Sequence, residues 1–365
     1  MSATNPIPAL TSLRGLAAWW VVVFHFREAL PPQAPAFVHV VASYGYLAVD
    51  LFFILSGFVI ARSYSHHFAR SIEIKTICFF YGFRLARIYP LHLFVLVLFL
   101  LNPFALAFFS TAGIPQDGYD INYFIMSIFL VQNWGWTNEL QWNIPAWSIS
   151  TEWFAYLIFP FIAILASRFV QKAAVAVASA LGLMLILAVV TAVVGGGLGG
   201  NIPQHGLSRC LLEFGVGVAL CRLHLAWPAQ ASTARLAFGC AITCFAALTI
   251  MPDYAVMPLG FFCLIYALTR NSFLLSKLIQ NRILEWVGIL SYSTYMIHYF
   301  IKTWIKFLMV ESTANTENFL FYLFATACAS AILFYAIERP AQQKMRAAVT
   351  SMLASQPRPR PAMSP

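Results

Sequence analysis

Long apolar stretches, separated by short polar segments, fill most of this chain of 365 residues. A transmembrane helix needs about 20 predominantly apolar residues. The stretches near that length are 10–28, 44–62, 88–109, 146–166, 173–194, 207–223, 236–250, 255–269, 286–308 and 318–337. The pattern predicts an all-α polytopic membrane protein with about ten transmembrane helices. We expect one transmembrane domain at 1–346 and a disordered cytoplasmic tail at 347–365.

One apolar run, 121–131, is too short for a full span, because the bilayer core requires nearly twice its length. We interpret it as a re-entrant or interfacial segment. The basic residues indicate the orientation, since cytoplasmic loops carry an excess of lysine and arginine. The segment from Arg62 to Arg87 holds five of them. We therefore expect a cytoplasmic loop there, and both termini on the cytoplasmic side.

Composition excludes a water-soluble protein. Hydrophobic residues make up 61% of the chain and charged residues 10%, where a soluble domain has roughly 25% charged residues. The net charge of +9 is scattered between apolar segments, so membrane orientation explains it and we expect no nucleic-acid partner. The seven cysteines form no C-x-x-C pair. We interpret them as small hydrophobic residues and expect no metal site.

Ionisable residues inside spans are informative, because a charge near the bilayer centre costs at least about 2.5–3.5 kcal/mol. His25 falls in the outer half of the first span, and Arg14 lies roughly 16 Å away along the helix, near the inner face. Asp50 and Glu152 each enter a span from outside and, counted along their helices, reach about the depth of His25. The sequence therefore predicts one layer that contains a histidine and two carboxylates.

Six motifs resemble the membrane acyltransferase 3 family in order and spacing. They are Arg14-x10-His25, the segment from Gly45 to Phe58, Arg84-Leu85-Ala86-Arg87-Ile88-Tyr89-Pro90, Trp147-Ser148-Ile149-Ser150-Thr151-Glu152, the segment from Gly288 to His298, and Glu338-Arg339-Pro340. The resemblance covers nearly the whole chain. It implies an enzyme of the bacterial inner membrane that moves an acyl group, usually acetyl from acetyl-CoA, onto a hydroxyl group. The acceptor is commonly a cell-envelope sugar, although some relatives acylate small cytoplasmic molecules.

The resemblance maps the essential histidine of the family onto His25. A histidine is suited to remove the proton of an attacking alcohol at neutral pH. A carboxylate hydrogen-bonded to its other ring nitrogen would fix the tautomer, and Glu152 and Asp50 are the candidates by depth. We rank Glu338 lower, because the predicted topology puts it at the cytoplasmic end beside Arg14. Where many relatives have a second acidic residue after Glu152, this chain has Trp153.

The arginines are candidates for binding the donor. Arg84 and Arg87 resemble the Arg-x-x-Arg pair of the family, and guanidinium groups match the phosphates of coenzyme A. Arg14, near the same face, joins them as a candidate. Arg209 and His298 are candidates for contacting the acceptor. The partners implied are acyl-CoA, a hydroxyl-bearing acceptor and membrane lipids.

Two further classes of protein stay open. A secondary transporter would also place ionisable residues at mid-membrane, but it would more often show repeated halves, and none is visible. A non-catalytic membrane partner of a glycan-assembly complex would not need His25. Acyl-CoA hydrolysis or transfer by the purified protein separates an acyltransferase from both alternatives.

Overall fold

The computed structural model describes residues 6–69, 73–109, 118–227, 230–270, 277–308 and 316–354, and these residues contain no β-strand. The first helices are α1 (Pro8–His25), α2 (Ala36–Ser43), α3 (Ala48–Phe68), α4 (Ile74–Leu98), α5 (Leu101–Phe109), α6 (Ile121–Ile128) and α7 (Trp147–Phe169). The following ones are α8 (Ala173–Val194), α9 (Ile202–Ala226), α10 (Ala231–Ala247), α11 (Asp253–Leu268), α12 (Arg282–Leu308), α13 (Thr316–Leu333) and α14 (Arg339–Ala354).

The all-α membrane fold is confirmed. Within the described ranges, five helical segments are long and apolar enough to cross a membrane: Ala36–Phe68, Ile74–Phe108, Ile144–Phe169, Ala173–Val194 and Thr316–Leu353. Two shorter apolar helices are α10 and α11. Each predicted span coincides with a helix, or with the end of α4 followed by α5 in the case of 88–109. The number of ten crossings stays a prediction.

The run at 121–131 contains only the short helix α6. Its 8 residues extend about 12 Å, far less than the roughly 30 Å of the hydrocarbon core. The Asp120 side chain caps the helix by accepting from the backbone N–H of Tyr123 at 2.8 Å. The buried His92 of α4 lies 2.8 Å from the carbonyl of Ser127 and holds the other end. This short, tethered helix agrees with a re-entrant or interfacial segment.

Two boundaries differ from those expected. Arg84 and Arg87 lie inside helix α4 rather than in a loop, because the sequence around them is apolar enough to continue the helix from Ile74. At the C-terminus, α14 continues to Ala354, although we expected the tail to begin at residue 347. Residues 355–365 of the predicted tail lie outside the described residues.

Glycines bring two pairs of helices into backbone contact. Helices α1 and α12 cross where a Cβ added to Gly288 would lie 2.0 Å from the carbonyl oxygen of Thr11. Helices α3 and α9 cross at Gly57 and Gly217, where an added Cβ would lie 2.0 Å from a carbonyl oxygen of the other helix. Small residues allow this close approach of helices in membranes. The first crossing fixes α1 against α12, which carry His25 and His298.

Candidate active site

A cavity of about 130 Å³ lies between helices α1, α3, α4, α7 and α12. Three arginines line it, one from α1 and two from α4: Arg14, Arg84 and Arg87. Glu152 of α7 lines the same space. The structure therefore brings together all three residues that the sequence proposed for donor binding.

The arginines have few partners among the residues that the structure describes. Arg84 donates to the hydroxyl of Tyr64 at 3.0 Å, and its Nε is buried without a hydrogen-bond partner among the described residues. Arg87 forms an ion pair with Glu338. Arg14 has no hydrogen bond or ion pair to any residue that the structure describes, and it faces the cavity. Guanidinium groups with unused donors around an open space favour binding of an anion.

Glu152 belongs to this cavity and not to the surroundings of His25. One carboxylate oxygen accepts hydrogen bonds from the hydroxyls of Ser56 and Tyr156, both at 2.5 Å. Its charge also acts on Arg14. The carboxylate thus balances part of the positive charge in the arginine cavity.

Glu338 contacts the arginine cavity through its ion pair with Arg87. It ends a π-helical segment, Phe334–Glu338, between α13 and α14. Besides its pair with Arg87, it accepts from the hydroxyl of Ser293 at 2.6 Å. Single π-helical turns are frequent at functional sites, and this one turns a buried carboxylate towards α4.

The cavity extends along α3 from Ile60 to Val49, a length of roughly 16 Å. At the Val49 end it is lined by Tyr295 of α12. The ring of Tyr295 packs against the ring of His298, with 5.8 Å between centroids. His298 is three residues, about 4.5 Å, further along α12. The cavity therefore ends next to the histidines without including them.

His25, the last residue of α1, pairs with His298 in the middle part of α12. Nε2 of His298 lies 3.3 Å from Nδ1 of His25. His298 is fully buried, and its Nδ1 lies 2.6 Å from the carbonyl oxygen of Tyr295. Nδ1 of His25 also lies 3.0 Å from the carbonyl oxygen of Val21. Each ring is thereby held in place by a backbone carbonyl of its own helix.

These contacts define the protons on both rings. A carbonyl oxygen only accepts, so Nδ1 of His298 carries a proton and, in the neutral ring, Nε2 of His298 is an acceptor. Nδ1 of His25 then faces two acceptors and must carry its own proton. This leaves Nε2 of His25 with a free lone pair. The pair is thus arranged so that His25 presents a base.

Charged side chains lie near the histidine pair. Lys306 and Lys302 lie 2.9 Å and 3.7 Å from a carboxylate oxygen of Glu28. Partial burial raises the pKa of Glu28, but the hydrogen bond from Lys306 and the charge of Lys302 outweigh it and hold this pKa below its ordinary value. Glu28 therefore stays ionised and offsets part of the lysine charge.

Asp50 and Arg209 are partners of each other. Both are buried, and the carboxylate of Asp50 accepts from Nε and a terminal nitrogen of Arg209 at 2.6 Å and 2.5 Å. Arg209 also donates to the carbonyl of Leu198. We expected Asp50 near His25 and Arg209 near the acceptor, but the described contacts bring neither residue to the histidine pair. This ion pair holds α3 against α9.

The predicted layer of one histidine and two carboxylates does not form. We counted the depth of Asp50 from residue 44, but Gly45–Leu47 forms a 3-10 turn and α3 begins at Ala48. Asp50 therefore lies at the start of its helix. Glu152 instead lies level with Ser56, which is six residues further along α3.

Several hydroxyl partners of the charged groups in and beside the cavity were not predicted. Ser56 and Tyr156 bind Glu152, Tyr64 binds Arg84 and Ser293 binds Glu338. A hydroxyl on the same helical face as an ionisable residue would have been the available signal, as for Tyr156 one turn after Glu152. Within the described residues, no group of three or more His, Cys, Asp and Glu side chains could hold a metal ion.

Together the fold and this site describe an all-α integral membrane protein with an arginine-lined cavity beside a pair of histidines. The profile of the Acyltransferase domain family matches residues 7–336. The chain belongs to this family, as the six motifs predicted.

Named relatives agree with the family. The chain is 36% identical to acyltransferase MdmB of Streptomyces mycarofaciens over 161 residues. This matched region covers 42% of this chain and 38% of MdmB. It is 25% identical to O-acetyltransferase OatA of Staphylococcus aureus over 94% of this chain and 58% of the relative. Peptidoglycan O-acetyltransferase OatA of Listeria monocytogenes is 23% identical over 92% of this chain and 55% of the relative. The chain thus spans less than two thirds of each. No solved structure matches it.

Proposed function

We propose that the chain is a membrane O-acyltransferase that moves an acetyl group from acetyl-CoA to a hydroxyl group of a cell-envelope glycan. The observation that carries this proposal is the arginine cavity, which ends one helical turn from the histidine pair. Its three guanidinium groups are suited to the phosphates of coenzyme A. The two relatives named O-acetyltransferase OatA support acetyl transfer, and the name of the Listeria relative supports a glycan acceptor.

In the proposed reaction, Arg14, Arg84 and Arg87 hold the phosphates while the thioester arm extends along α3 towards Tyr295. Nε2 of His25 takes the proton of the acceptor hydroxyl as its oxygen attacks the thioester carbon. The carbon–sulfur bond breaks, the thiolate of coenzyme A leaves and takes the proton back from the His25 imidazolium, and the products are the acetyl ester and free coenzyme A. The imidazolium formed on His25 is stabilised through Nδ1–H, which donates to Val21 and His298.

In this proposal His298 takes the position that a carboxylate has in other acyl-transfer sites. It fixes the tautomer of His25 instead of contacting the acceptor. Glu152 serves the donor cavity by balancing arginine charge, and Asp50 with Arg209 serves the packing of α3 on α9.

The test is transfer by the purified full chain in lipid nanodiscs, supplied with acetyl-CoA and envelope glycan fragments. Release of free coenzyme A that depends on the acceptor, with ester formation seen by mass spectrometry, is the expected result. The matched control is His25→Ala, which should release none above background. A wild-type protein that binds the glycan but never releases coenzyme A would contradict the proposal.

We propose that the chain lies in the bacterial inner membrane. In the proposed orientation both termini and the entrance for the donor face the cytoplasm. Basic residues support it through the positive-inside rule. A single cysteine placed within 134–145, in a chain without its seven native cysteines, should react with a membrane-impermeant maleimide from outside. Labelling only from the cytoplasmic side would overturn the orientation.

A further inference from the structure

Arg346 lies ten residues beyond the part of the chain that matches the family, which ends at residue 336. It belongs to α14, which packs closely on α4. A Cβ added to Gly82 would lie 2.7 Å from the side chain of Val349. Arg346 and Val349 are three residues apart, so they share one face of α14. That face is turned towards the helix that carries Arg84 and Arg87.

The surroundings of Arg346 are positively charged. Its guanidinium lies over the ring of Phe83, at 5.2 Å from the centroid, and the charges of Arg84 and Arg87 act on it. Glu338 compensates Arg87. No carboxylate of the described residues forms an ion pair with Arg346 or Arg84 within 4.0 Å.

The hydrogen-bonding capacity around Arg346 is also unused. Its Nε is buried without a partner among the described residues, and the same is true of Nε of Arg84. A buried donor without an acceptor is costly, and so are neighbouring like charges in a membrane protein. An anionic ligand that accepts from both guanidinium groups would remove both costs. A phosphate group can accept hydrogen bonds from two planar guanidinium groups at once, so its geometry matches this pair.

We propose that Arg346, together with Arg84, binds a phosphate group of the acyl-CoA donor. This inference rests on the proposed function and adds to it a donor contact from outside the family domain. A phospholipid headgroup carries the same chemistry, so the experiment has to separate the two sources. The adjacency of Arg346 to Arg84, which lines the cavity, favours the nucleotide part of the donor.

The experiment is calorimetric titration of the full chain in nanodiscs of phosphatidylcholine, which has no net charge. Coenzyme A and pantetheine, which lacks the phosphates, are the two ligands. Arg346→Gln should raise the Kd for coenzyme A by roughly tenfold or more and leave that for pantetheine unchanged. Arg346→Lys keeps the charge but loses the planar guanidinium group. Its Kd for coenzyme A should lie between those of the wild type and Arg346→Gln. Arg346→Lys also serves as the second variant if Arg346→Gln fails to fold.

Lys344→Gln is the matched control, because it removes one positive charge from the exposed side of the same helix. It should bind coenzyme A like the wild type. Equal affinity of wild type and Arg346→Gln for coenzyme A would overturn the inference while leaving the proposed function intact. An Arg346→Gln variant that binds coenzyme A normally but co-purifies with less anionic lipid would also overturn the inference, since it would assign Arg346 to a phospholipid headgroup. A wild type that does not bind coenzyme A at all would overturn the proposed donor and this inference with it.

Discussion

The two ends of α1 lie in contrasting surroundings. Arg14, near the start of the helix, faces a cavity in which three arginines have few partners among the described residues. His25, at the other end, is held by a carbonyl and by a second histidine. One region offers unused charge to a ligand, and the other offers a single oriented lone pair. Under the proposed function, donor binding and proton removal are therefore separated by roughly 16 Å of helix.

The largest expected effect comes from removing the base. His25→Ala should lower kcat by about 10²- to 10⁴-fold, because general base catalysis contributes that much, while the affinity for coenzyme A stays unchanged. His39→Ala, on helix α2, is the control and should be fully active. Retention of more than a few per cent of activity by His25→Ala would remove His25 from the chemistry.

The next effect concerns stability and tests whether Asp50 belongs to the histidine region. Asp50→Asn leaves the buried Arg209 without its counter-charge, which should cost about 3–5 kcal/mol of stability. Thermal unfolding in detergent measures the loss. The double variant Asp50→Leu/Arg209→Met should recover most of it, because replacing both members of a buried pair is often tolerated. A stable Asp50→Asn protein that had lost all activity would instead place Asp50 in the reaction.

A smaller effect is expected when the second histidine is changed. His298→Leu removes the acceptor at Nδ1 of His25 and should lower kcat by about ten- to a hundredfold without changing the donor KM. His298→Gln keeps an acceptor oxygen near the position of Nε2 and should lose less. Equal losses in both variants, or a raised donor KM, would show that His298 acts through packing or through the cavity.

The smallest effect is expected for Glu152, the carboxylate that the sequence had placed beside His25. Glu152→Gln removes a negative charge from the arginine cavity, so the donor KM should fall, by at most about threefold. kcat should change little. A loss of kcat as large as that of His25→Ala would return Glu152 to the role of partner of the base.

Much of the fold could be predicted, because the length of each apolar stretch can be read directly from the sequence. The stretches that predicted spans coincide with helices, and the short run at 121–131 contains only an eight-residue helix. The arginine cluster was also predictable, since Arg84 and Arg87 match the Arg-x-x-Arg pair of the family. Their position inside α4 did not follow, because a charge is tolerated in a helix when neighbouring helices enclose a polar cavity.

The histidine region was predicted only in part. His25 was found from its spacing to Arg14, but its partner depends on the rotation of α12 against α1. That rotation is set by the glycine contact of Gly288 with Thr11, which one sequence does not reveal. Counting residues from the membrane surface gave Asp50 and Glu152 instead, because such a count does not give the offset between α3 and α7, which places Glu152 beside Ser56, six residues beyond Asp50.

The separation of binding from chemistry is tested most directly by titrating coenzyme A against three variants of the full chain. Arg84→Ala and Arg87→Ala should raise the Kd by about ten- to a hundredfold, the value of one charge-assisted contact, and should keep turnover at saturation. Arg168→Ala, at the exposed end of α7, is the control. His25→Ala should bind coenzyme A like the wild type and fail to turn over. Unchanged affinity in both arginine variants, or lost affinity in His25→Ala, would contradict the account.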